Sequence, residues 1–160
     1  MKKLSSSKKK GKSKHSPKKT KMIAPAETKV LPEKKAAKIQ YSEDYHLKDV
    51  SDDVKSVYGK MKADLLKVDK TLLFNPQKYY VSMRKNRNLA FFHFSRKKIS
   101  LVVMNPEKDT RKQIKHHEVK TLTEKVQKFW NGASCTIVIE GIKHLNEVIV
   151  LLKKLIKQQA

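Results

Sequence analysis

The sequence predicts an α+β fold: a two-layer domain with an antiparallel sheet of about four strands and helices packed on one face. Three observations predict it. Apolar residues recur at helical spacing in two segments, Val54 to Leu66 and Leu145 to Ile156. Between them lie short β-rich runs joined by connectors too short for parallel crossovers. The composition also changes sharply at Tyr41, where YSEDYHL brings tyrosines, a leucine and acids after a long lysine-rich stretch.

The predicted order is helix, three-stranded meander, short helix, strand, helix. Ser51 is a suitable N-cap, with Asp52 and Asp53 in the positive first turn, for a helix over 52–67. Its apolar positions are Val54, Val57, Tyr58, Met61, Leu65 and Leu66. Asn75-Pro76 then breaks the chain. Three strands follow at 78–84, 89–94 and 99–104, separated by the polar connectors RKNRN and SRKK. Asn105-Pro106 closes the third. The segment KQIKHHEVK reads equally as a strand or an irregular loop. Thr123 opens a short helix through VQKFW, with Gly132 placed for its stop. SCTIVIEG is the fourth strand. Leu145, Val148, Ile149, Leu152, Leu155 and Ile156 form one face of the closing helix, whose last turns carry Lys153, Lys154 and Lys157.

Residues 1–40 are predicted to be a disordered, lysine-rich tail, and residues 41–160 the folded domain. The tail has few large apolar residues, and Pro17, Pro25 and Pro32 oppose a long helix. The net charge of the chain is +23. The tail holds 14 lysines against 2 acids, and the body 24 lysines and arginines against 13 acids. Both parts therefore attract polyanions, the tail more densely. One cysteine, Cys135, excludes an intrachain disulfide and a cysteine metal knuckle. No apolar run is long enough to span a bilayer, and no hydrophobic signal region follows the basic N-terminus. The expectation is a soluble cytoplasmic protein, nucleoid-associated if bacterial.

The body resembles a small bacterial and archaeal domain of unknown function. Members occur alone or C-terminal to restriction-endonuclease-like nuclease domains, and some are labelled "predicted transport protein". The residues that carry the resemblance are Tyr41, Tyr45, His46 and Leu47, then Lys78 and Tyr79, then Trp130 and Gly132. It covers about 41–158 and leaves out the tail. It implies a nucleic-acid context by association, and it supplies no catalytic residue. No nuclease-like segment accompanies the domain in these 160 residues, so the chain would act on a nuclease in trans or do something else.

The residues argue against an enzyme. The four glycines form no phosphate loop, and Asp52, Asp53, Glu118, Glu124 and Glu140 make no recognisable nuclease set. No cofactor and no metal are expected. His116 and His117 are adjacent, so on a strand they point to opposite faces and chelate poorly. Cys135 reads as a small buried hydrophobe, and Trp130 as a plug between the short helix and the fourth strand.

The expected function is therefore non-enzymatic binding of nucleic acid, DNA rather than RNA. Phosphate contacts would come from Lys8, Lys9, Lys10, Lys12, Lys14, Lys18, Lys19 and Lys21 of the tail. The hairpin tips would add Arg84, Lys85, Arg87, Arg96, Lys97 and Lys98. Strand alternation sets Tyr80, Phe91 and His93, with Arg84, on the sheet face away from the helices, a candidate stacking face for bases. The plainer reading of that face is that a helix, the tail or a partner covers it. The alternative function is a protein-interaction module for a nuclease or another enzyme, with the tail serving solubility.

Overall fold

A computed structural model describes residues 41–159. The tail lysines proposed as phosphate contacts lie outside the described residues. The elements are α1 (Glu43–Leu47), α2 (Asp52–Leu66), β1 (Leu73–Pro76), β2 (Val81–Arg84), β3 (Asn88–Ser95), β4 (Lys98–Val103), α3 (Glu107–Gln113), β5 (Glu118–Thr121), α4 (Glu124–Phe129), β6 (Cys135–Ile139) and α5 (Leu145–Lys157). The six strands form one antiparallel sheet in the order β1-β2-β3-β4-β6-β5.

The fold is thus α+β, as predicted, but the sheet has six strands and not four. Both added strands are edges of four residues each. β1 contains the Asn75-Pro76 pair that reads as a breaker. Pro76 is tolerated because an edge strand leaves one side of its backbone unpaired. β5 is the part of KQIKHHEVK and its flank that pairs with β6, through Val119 opposite Ile137. The first residues of that segment, Lys112 and Gln113, end α3, which begins after Pro106. The first predicted strand is also shorter than expected. Lys78, Tyr79 and Tyr80 form the turn between β1 and β2, closed by the Gln77 N–H donating to the Tyr80 carbonyl at 2.7 Å.

The core lies between the sheet and helices α2 and α5. Val54, Val57, Tyr58, Met61 and Leu65 of α2 are buried, as are Leu145, Val148, Ile149, Leu151, Leu152, Leu155 and Ile156 of α5. They meet Val81, Met83, Phe92, Ile99, Leu101, Val103, Cys135, Ile137 and Ile139 from the sheet. Burial of a residue of this size contributes about 1.5–3 kcal/mol, which explains why the two long helices are the elements that periodicity finds. A register shift between Met83 and Arg84 leaves Leu89 without a facing partner on β2. Leu89 and Ala90 can then both join the core, although they are consecutive.

Not every helix packs on that face. α4 buries no residue of its own, and it ends in a Schellman cap. The Asn131 N–H donates to the Lys128 carbonyl and the Gly132 N–H to the Gln127 carbonyl, each at 3.1 Å. Asn131, at φ 60°, and not Gly132, takes the left-handed position. The cap turns Trp130 back over Phe91, which stands on the opposite side of β3 from the core residue Phe92. Trp130 therefore plugs the second sheet face, where the sequence reading had set it between the short helix and the fourth strand.

Candidate functional site

The second sheet face carries the three predicted stacking residues, and the fold brings them together. The Tyr80 ring centroid lies 5.3 Å from that of Phe91 and 5.5 Å from that of His93. Trp130 joins them, 4.0 Å from Phe91, 5.5 Å from Tyr80 and 6.3 Å from His93. Phe129 meets Trp130 in a T-shaped contact at 4.9 Å. The roles within the cluster differ from the expectation. Phe91 is only 3 % exposed, so it supports Trp130 and offers no surface to a base. Tyr80, His93 and Trp130 are half-buried, and Phe129 is 72 % exposed.

The fold separates the basic residues. Arg87 lies beside the aromatic cluster, lining a cavity of about 340 Å³ with Asn88, Met104, Trp130, Asn131, Gly132 and Ala133. Arg84, at the end of β2, is exposed. Lys85 is engaged elsewhere: its ammonium is 2.9 Å from the Asp69 carboxylate. Hydrogen bonds from Thr71, and then Lys85, hold the Asp69 carboxyl down at about 2. Arg96, Lys97 and Lys98 belong to the β3–β4 hairpin, at the other end of β3. Eight residues of strand put the two hairpin tips about 24 Å apart. Two separate basic tips therefore flank the sheet.

Electrostatics distinguish His93 within the cluster. Burial holds its imidazole below the ordinary range, and the nearby His46 acts in the same direction. A hydrogen bond with the Tyr79 backbone opposes both. His46 itself bonds through Nε2 to the Gln77 carbonyl at 2.7 Å, tying α1 to the turn after β1. Burial likewise pushes the Cys135 thiol up, and its Sγ donates to Thr110 Oγ1 at 3.3 Å.

Sequence reading missed a second cluster. The sequence suggests His116, His117 and Glu118 as the local metal candidates, but the fold pairs His116 with His144, the N-cap of α5, and with Glu147 of α5. The ligand atoms of these three side chains lie within 4.8 Å of one another. Their separation of about thirty positions in the chain left no local signal. The nearest cue was Glu147 three residues after His144, the spacing of one helical turn.

No family model matches the chain, and no solved structure matches it. The chain is similar to a protein of Haemophilus influenzae (strain ATCC 51907 / DSM 11121 / KW20 / Rd) named "Uncharacterized protein", with 26 % identity over 119 residues. The match takes in 73 % of this chain but only 37 % of that relative. It fits the resemblance to a domain of unknown function. Among the described residues, no helix is long and apolar enough to cross a membrane.

Proposed function

We propose that this protein binds nucleic acid without turning it over, DNA in preference to RNA, as an accessory factor. The observation that carries the reading is the aromatic group formed by Tyr80, His93, Trp130 and Phe129, with Arg87 at its border. An aromatic surface beside a guanidinium suits unstacked bases and their phosphates, with each stacked base contributing about 1–3 kcal/mol. The narrow span of this group fits one or two bases. The charge of the chain adds affinity that does not depend on sequence.

The test is fluorescence anisotropy with single-stranded DNA, duplex DNA and RNA of matched length, at several salt concentrations. The full chain is compared with Tyr80→Ala and Phe129→Ser variants. Single-stranded DNA should bind tightest, and each substitution should weaken it about fivefold or more. Equal affinity of both variants and the unsubstituted chain would take the sheet face out of the reading and leave only charge.

A second reading rests on the open edge of the sheet. Among the described residues β1 is an edge strand, and its Leu73 is 58 % exposed, a surface to which a partner strand could add. On that reading the domain is a regulatory module of a nuclease or another enzyme. A protein that stays bound after nuclease digestion of the nucleic acid would support it.

A further inference from the structure

Glu147 is the best-anchored carboxylate on the surface at the β6–α5 end of the domain. Its Oε2 accepts the backbone N–H groups of Lys115 at 2.8 Å and His116 at 3.2 Å. Its Oε1 bonds to Nδ1 of His116. A carboxylate oxygen can only accept, so Nδ1 of His116 donates to it, and Nε2 is the ring nitrogen turned away from this bond toward a ligand. The His144 ring lies parallel to that of His116, with centroids 3.9 Å apart and planes 9° apart. His144 holds this place from a left-handed backbone at φ 57°. That conformation is costly for a residue with a side chain, by about 1 kcal/mol, and strain of this kind gathers at functional positions.

Two imidazoles and a carboxylate are the donor set of a borderline divalent ion. A tetrahedral ion with bonds of about 2.1 Å needs its ligand atoms about 3.4 Å apart. The three groups must close in from within 4.8 Å. Both histidines are exposed, so rotation of their side chains can supply this movement. His116 and His144 also line a cavity of about 810 Å³, bordered by His117, Glu118, Glu140 and Lys143. The cavity gives room for water or an anionic group at any position the protein leaves open.

We propose that His116, His144 and Glu147 form a binding site for a divalent transition-metal ion, with Zn²⁺ as the type case. Glu147 serves either as third ligand or as the group that orients His116; the carboxylate is needed in both roles. The site is independent of the aromatic face.

The test titrates the full chain with Co²⁺ and Zn²⁺. Calorimetry gives stoichiometry, and the visible absorption of bound Co²⁺ reports coordination number. His116→Ala, His144→Ala and Glu147→Gln variants, with folding checked by circular dichroism, are compared with His46→Ala and His15→Gln as controls. One ion should bind per chain. Each of the three substitutions should weaken binding about ten- to a hundredfold, and the controls should leave it unchanged. The Zn²⁺ complex should also shift the imidazole resonances of His116 and His144 in NMR spectra. Absence of stoichiometric binding, or affinity unchanged in all three variants, would overturn the proposal and leave Glu147 as a cap on the loop before β5.

Discussion

Trp130 stacks on Phe91 with ring centroids 4.0 Å apart and an interplanar angle of 34°. This contact fastens α4 to the second sheet face, because no residue within α4 is buried. Trp130→Ala should cost about 2 kcal/mol, less than a fully buried tryptophan because the ring is half-buried. Urea denaturation checks it. An unchanged midpoint would mean that α4 is held by its cap and backbone alone. Trp130 is also the only tryptophan, so its fluorescence should respond when a base stacks nearby.

Arg87 and Lys85, two of the three basic residues at the β2–β3 tip, should behave oppositely. Arg87→Ala should weaken DNA binding and lower the slope of log affinity against log salt by about 1. Lys85→Ala should leave binding nearly intact and lower stability, because its ammonium is spent on Asp69. Anisotropy and urea melts on the same pair of variants separate the two effects. Equal loss of binding in both would show that Lys85 leaves Asp69 for phosphate.

His93 gives the domain a pH dependence of known sign. Burial puts its folded-state pKa below the ordinary 6.5. The unfolded chain therefore takes up a proton first as pH falls, and stability declines below about 6.5 until the folded value is reached. The urea midpoint should fall between about pH 7 and pH 5, and His93→Gln should flatten that fall. A wild-type midpoint constant over this range would contradict the buried, neutral imidazole.

Cys135 should be inert. It is fully buried on β6 and bonded to Thr110, and its thiol is pushed up by burial, away from thiolate. Reaction with a thiol reagent should follow global unfolding, accelerating only as urea approaches the midpoint. Fast labelling of the native protein would place the thiol within reach of solvent.

Residues 1–40 and their lysines lie outside these structural tests, but the rest of the chain shows where sequence alone suffices. α2 and α5 were legible because each is long and repeats its apolar residues about every 3.6 positions. All six residues predicted for the face of α5 are buried. β3 and β4 were legible because a short connector between β-branched and aromatic runs permits little besides a hairpin. The stacking trio of Tyr80, Phe91 and His93 followed from strand alternation, which fixes a face once the strands pair.

The remainder depended on contacts distant in sequence. β1 and β5 are four residues each, too short for a period, and exist because β2 and β6 offer them a free edge. Whether Trp130 joined the main core or the opposite face was settled by the Schellman cap of α4, a matter of backbone geometry. The meeting of His116 with His144 and Glu147 required β5 to be laid beside β6 and α5 to follow it. Local periodicity, acting through burial of one face, determined which segments are helices and hairpins. Long-range pairing decided which polar and aromatic side chains became neighbours, because the free energy of such contacts appears only once the chain has closed the loops between them.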